Sequence, residues 1–200
     1  MKENYIIAAF RETVVQRFPE QSVELNRLLD EKLSRLRSMH LNASKEKQFH
    51  LESQILPGIA AYETLQTVMP KDEALQTVHG YVEEHAWTMR KTILKLLTVP
   101  GLYHLPPVLF SKLTPKFYGE TAGFAATEYQ ISGGVWRIDM TKCPYHDTCV
   151  EHGCPELCPC FCDSDDIAYD DLHPKLVWHR TKTLGRGNEC CDFCLKLAGK

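Results

Sequence analysis

The chain has 200 residues, 44% of them hydrophobic and 24% charged, with a net charge of −3. That length and balance suit one good core, or a small helical domain fused to a compact second lobe. The slight acidity argues against nucleic acid as a partner, and no apolar run approaches the ~20 residues of a membrane span.

Residues 5–18 read as a first helix, ended by Pro19. The apolar run at its start is too short for a signal-peptide core, so a cytoplasmic chain is expected. Ser22 opens a second helix whose Leu25, Leu28, Leu29, Leu33 and Leu36 form one apolar stripe. Its basic residues alternate with Asp30 and Glu31 and read as a solvated face. A third helix starts near Ser44 and runs toward Met69, with a bend or break at Leu56-Pro57-Gly58. Leu75, Val78, Val82, Ala86, Met89, Ile93 and Leu96 then mark a long helix of about 28 residues, closed by Pro100-Gly101. Pro106, Pro107 and Pro115 are expected to fragment the chain that follows. One more short helix is expected over 123–129.

From Gly134 the periodicity changes. Residues 135–139 read as a strand, 156–169 as a helix, 176–184 as a second strand and 190–197 as a third. The last two strands form a hairpin around the turn 185–188. The expected architecture is α+β. A helical N-terminal part (1–130) packs on a small, mostly antiparallel C-terminal sheet (131–200) with a cysteine-rich helical connection, the two parts forming one compact unit. Short strands with open edges leave room for a homodimer.

All nine cysteines fall between 143 and 194. An odd number cannot pair completely, and without an export signal clustered thiols point to metal binding or catalysis rather than to a disulfide framework. Cys191-Asp-Phe-Cys194 has the gap of a zinc ribbon, but Cys158, Cys160 and Cys162 are spaced by one residue and supply no matching partner, so zinc or an iron–sulfur cluster rests on ligand type alone. Burial as small hydrophobes is the plain reading for Cys149, Cys154, Cys160 and Cys194. Cys143 follows a strand and precedes Pro144, which suits a first helical position. A thiol there would face backbone N–H groups that favour its anion. Arg180 suits a substrate carboxylate, or else pairs with Asp192 or Asp139 across the sheet. Asp165 and Asp192 are candidate acids or bases.

Taken in order, Cys143-Pro-Tyr, the stretches 153–165 and 179–193, and Leu56-Pro-Gly-Ile-Ala-Ala-Tyr62 upstream resemble the L-2-amino-thiazoline-4-carboxylic acid hydrolase family over residues 56–197. The matching positions are Cys143, Cys162, Asp165, Arg180, Thr183, Gly187, Cys191 and Asp192. Cys149, Cys154, Cys160, Cys190 and Cys194 stand outside the pattern. The resemblance implies a hydrolase that opens a small ring at a carbon between nitrogen and sulfur. Water or a thiolate (Cys143 or Cys191) would add there. Asp165 or Asp192 would protonate the leaving atom, while Arg180 and Thr183 hold the carboxylate-bearing substrate. In a second scheme Cys143, Cys162 and Cys191 hold zinc with an open position for water. The alternative from another class is a metal- or iron–sulfur-binding sensor or carrier without hydrolytic activity.

Overall fold

The computed structural model describes residues 3–129 and 133–199. Five helices build the first half: α1 (Tyr5–Arg17), α2 (Ser22–Met39), α3 (Lys45–His50), α4 (Leu56–Leu65) and α5 (Lys71–Leu97). Each covers a core face with the residues its periodicity marks. Leu25, Leu29, Leu33 and Leu36 of α2 are all buried. Burial of a leucine contributes roughly 1.5–3 kcal/mol relative to exposure, so this stripe is what seats α2 on α4. On α5 the buried stripe follows Val78, Val82 and Ala86 but ends on Leu97, leaving Leu96 exposed.

The expected break at Leu56-Pro57-Gly58 takes a specific form. A π-helical stretch, Leu51–Ile55, joins α3 to α4, and the helix then continues through Pro57. Proline has no N–H to return to the preceding turn. The Asn4 side-chain amide instead donates to the carbonyls of Glu52 and Ser53, at 3.1 and 2.8 Å. The same side chain caps α1 by accepting from the Ile6 N–H at 2.9 Å. One residue thus ends one helix's orphan donors and another's orphan acceptors. Gly58 follows because a Cβ there would stand 2.6 Å from Phe161 Cζ.

Two expectations are corrected in the middle of the chain. The proline-rich segment is a continuous helix, α6 (Leu105–Phe117), rather than fragments. Pro106 and Pro107 sit in its first turn, where no donor is needed, and Pro115 falls in its last. Residues 123–129 are not a helix: β1 (Ala125–Glu128) pairs with β2 (Val135–Lys142), because the free edge of β2 overrides weak strand propensity. The boundary expected at 130–131 lies outside the described residues.

Beyond it come α7 (Pro144–Glu151), α8 (Cys158–Tyr169), β3 (Leu176–His179) and β4 (Cys191–Leu197). The four strands form an antiparallel sheet in the order β1-β2-β4-β3. The strand expected over 176–184 stops at His179, and a 3₁₀ turn occupies Leu184–Arg186. Gly187 then takes φ +82°, the left-handed conformation that glycine adopts without strain. Trp136, Ile138 and Met140 of β2 face inward with Cys191 and Leu195 of β4 and Trp178 of β3. A second core, around α1, α2, α4 and α5, takes in Cys149, Cys154, Leu157, Cys158, Cys160 and Phe161 from the C-terminal segment. Tyr145 packs against both cores. Among the described residues no helix is long and apolar enough to cross a membrane.

Candidate active site

Helix α8 lies along α5 and borders both cores, and it carries the chemistry on one stripe. Cys158, Cys162, Asp165, Asp166 and Tyr169 recur at helical spacings of three and four and so share a face. Arg180, just after β3, reaches this face with a side chain only 2% exposed. One guanidinium nitrogen, Nη2, donates to the Cys162 carbonyl at 2.9 Å and pairs with Asp166. The indole of Trp178 donates to the other Asp166 oxygen at 2.8 Å, and the Phe193 ring lies 5.4 Å beneath the guanidinium. Arg180 Nη1 remains buried with no hydrogen-bond acceptor, and its nearest ionic partner is Asp165, 3.6 Å away. A buried guanidinium N–H with no acceptor is costly unless a ligand supplies one.

Asp165 is the most perturbed carboxyl. Burial pushes its pKa up to about 7, with Asp166 adding to the rise and Arg180 opposing it. Its side chain is nonetheless 40% accessible. Tyr118 is likewise 44% exposed while burial pushes its phenol up to about 12. Both side chains are thus partly open to solvent although protein surrounds them. Tyr118, Cys143, Tyr145, Asp165 and Tyr169 lie near enough to influence one another electrostatically, as Cys143 does Cys162 and Cys191, and together they form one cluster. A separate depression, bordered by Lys45, Glu46, Phe49, Lys116 and Phe117, holds none of them.

The three thiols there differ. Cys143 does cap α7 at the strand-to-helix junction, and the N–H groups of His146 and Tyr145 favour its anion. Burial outweighs them and holds its pKa well above the ordinary thiol value. Cys191, buried, accepts from the Leu184 N–H at 3.2 Å and is pushed up to about 11, again by burial. Cys162 alone is held below the ordinary value. The Cys158 thiol 4.0 Å away favours its anion first and Arg180 also helps, against burial and Asp165. Cys158 opens α8 and Cys162 follows one turn later on the same face. Gly185 crosses directly over it: a Cβ there would lie 3.0 and 3.1 Å from the two sulfurs.

The family model for L-2-amino-thiazoline-4-carboxylic acid hydrolase matches residues 48–195. The chain belongs to that family. No curated protein and no solved structure matches it. The matched span holds every residue of the cluster just described, and excludes α1 and α2.

Set against this site, the sequence candidates separate. Cys143, Cys162, Cys191, Asp165 and Arg180 come together in this cluster. Thr183 adjoins it through Leu184 and has a buried hydroxyl with no partner. Asp192 lies elsewhere: it points to the opposite face of β4 from Cys191, and its carboxylate accepts from the Thr181 and Lys182 N–H groups and the Thr181 hydroxyl. Burial raises its pKa, but these three donors outweigh it and hold it below the usual range. It braces the loop after β3. Arg180 pairs with Asp165 and Asp166 rather than with Asp192 or Asp139. Among the described residues, the sulfurs of Cys143, Cys162 and Cys191 do not gather within 4.8 Å of one another as a metal-ligand set would.

Sequence reasoning missed Asp166, Tyr118, Tyr145 and the part played by Cys158. The three-and-four spacing of Cys158, Cys162, Asp165 and Asp166 on an expected helix was the available signal. Nothing local announces His50. Its Nε2–H donates to the Phe117 carbonyl at 2.7 Å, leaving Nδ1 to accept from the Tyr145 hydroxyl at 3.2 Å and fixing that ring within the cluster.

Proposed function

We propose that the chain is a cysteine-dependent hydrolase that opens a small carboxylate-bearing ring of the 2-amino-thiazoline-4-carboxylate type, with Cys162 as nucleophile, Asp165 as general acid and Arg180 as carboxylate anchor. The observation that carries this reading is the buried Arg180 Nη1, which has no hydrogen-bond acceptor and meets Asp165 only as an ion pair at 3.6 Å, while Nη2 of the same guanidinium holds the Cys162 carbonyl. Membership of the family supports the reaction class.

The substrate carboxylate accepts from Arg180 Nη1, and the Thr183 hydroxyl offers a second donor. The Cys162 thiolate adds to the ring carbon between nitrogen and sulfur. The C=N electron pair moves to nitrogen, which takes the Asp165 proton. The ring bond then breaks, its electron pair staying with the leaving heteroatom. Water adds to the carbon now held on Cys162, one of its protons returning to Asp165 and the other passing to the departed heteroatom as the carbonyl forms and the Cys162 thiolate leaves. The sum is one ring opened and one water consumed. Asp166 and Trp178 hold Arg180 in place. Cys158 supplies a thiol that steadies the Cys162 anion, and Cys143 and Cys191 shape the wall as neutral thiols.

The test is turnover of 2-amino-thiazoline-4-carboxylate by the purified chain, read as a ring-opened carbamoyl-cysteine or as cysteine, beside the same ring lacking its carboxylate. The expected result is hydrolysis of the first and little of the second. Equal rates on both would remove Arg180 as the anchor, and no turnover of either would remove the substrate assignment.

A further inference from the structure

The C-terminal ends of α2 and α7 meet through His40 and His152. His40 caps the C-terminus of α2, and His152 caps that of α7 directly after Glu151. Unsatisfied carbonyls give a helix C-terminus partial negative charge, so two such ends side by side favour a cation. The Nε2 atoms of His40 and His152 face each other at 3.0 Å, with the ring planes at 61°. A Glu151 carboxylate oxygen lies within 4.8 Å of both nitrogens. Among the described residues this is the one such grouping of metal-ligating side chains.

We propose that His40, Glu151 and His152 bind a divalent transition-metal ion, with zinc the best chemical fit. Two imidazole nitrogens and one carboxylate oxygen match zinc, cobalt or nickel better than magnesium or calcium, which prefer oxygen alone. Nitrogens bonded at about 2.0–2.1 Å to a tetrahedral ion stand roughly 3.3–3.4 Å apart, so the observed 3.0 Å needs to open by only a few tenths of an ångström. A hydrogen bond between the two rings would account for their contact but would give the convergent carboxylate no part. His40 is 8% exposed, whereas Glu151 lies open to solvent, so an ion has a wet side from which to enter and a place for bound water. The cap itself is held: the Gln48 amide donates to the His40 carbonyl at 2.6 Å. Lys47 is the cationic side chain acting on His40, and a bound ion must outcompete it.

Such an ion would not join the hydrolytic steps. It would tie α2, which lies outside the family-matched span, to α7, whose N-cap position is Cys143. Metal occupancy would therefore hold the N-terminal helices against the segment that carries Cys143.

The full chain, freed of metal and kept reduced, is titrated with cobalt(II) alone and followed by its visible spectrum, with thermal unfolding alongside. Cobalt separates nitrogen–oxygen ligation from sulfur ligation, which matters in a chain with nine thiols. The expected result is one equivalent bound without a sulfur-to-cobalt charge-transfer band, together with a raised Tm. His152→Ala, at a partly exposed position that spares the fold, removes both effects. Glu151→Gln weakens binding about tenfold. A charge-transfer band that survives in His152→Ala would place the ion on cysteines and overturn the proposal. Binding equal in chain and variants, or no saturable binding, would do the same.

Discussion

Cys160 and Cys162 sit two residues apart on α8 and meet opposite fates. Cys160 turns into the helical core, where burial pushes it up to about 12, and it behaves as a small hydrophobe. Cys162 turns toward Arg180 and Cys158 and is held below the ordinary thiol value. Cys149 repeats the first pattern: burial and its neighbour Cys154 both raise it. Residue type is the same on both sides of the helix. What differs is whether a thiol donor and a cation face the sulfur, or the apolar core with Asp163 nearby. Density of cysteines is therefore a poor guide to the surroundings of any one thiol in this chain, and the face of α8 on which it lies is a better one.

Substitutions on the two faces should separate turnover from stability. The largest effect is expected for Cys162→Ala, which should lower kcat on the order of 10³-fold or more while leaving the melting temperature nearly unchanged. Steady-state kinetics beside thermal unfolding checks both halves. Arg180→Met should cost on the order of 10²-fold in kcat/KM, most of it in KM, because it removes a substrate contact and orphans the Asp166 carboxylate. Some loss of stability will accompany it, and Arg180→Lys should recover only part of the binding, since an ammonium lacks the planar fork.

Asp165→Asn should lower kcat by about 10²-fold and change the pH profile. A general acid works only while protonated, and Asp165 carries its proton up to about pH 7. The intact enzyme should therefore lose kcat/KM as pH rises through about 7, and the variant should lack that limb. A rising limb, from ionisation of Cys162, should lie below the ordinary thiol range and survive in Asp165→Asn. On the core face, Gly58→Ala should destabilise by about 1–3 kcal/mol, because its Cβ would overlap Phe161, with kcat little changed in the folded fraction. The smallest effect belongs to Cys160→Ala, a modest loss of stability of roughly 1 kcal/mol with normal turnover, read by denaturant unfolding and the same assay.

Much of the helical half was legible because burial there follows periodicity. Leu25, Leu29, Leu33 and Leu36 announce α2, and Val78, Val82 and Ala86 announce α5. The errors fell where tertiary contact overrides local preference. Ala125 to Glu128 have little strand propensity and pair because β2 offers an edge. Pro106 and Pro107 look like breakers but occupy a first turn that needs no donors. At the site, Cys143, Cys162, Cys191, Asp165, Arg180 and Thr183 were all singled out from sequence. Their division of labour was not, since it depends on burial. Cys143 has the helix N-terminus that should activate it, and desolvation still wins. Asp192 looked equivalent to Asp165, yet strand alternation turns it to the far side of the sheet. The His40–His152 contact joins residues 112 apart and leaves no local trace.

The most direct test of the central claim is the order in which native thiols are alkylated. Brief, substoichiometric iodoacetamide treatment at neutral pH, with labelled peptides identified by mass spectrometry and residual turnover measured in step, separates Cys162 from the other eight. The account predicts that Cys162 is modified first, that activity falls in proportion, and that a carboxylate-bearing ring substrate protects it. First modification at Cys143 or Cys191, or full turnover with Cys162 alkylated, would contradict it.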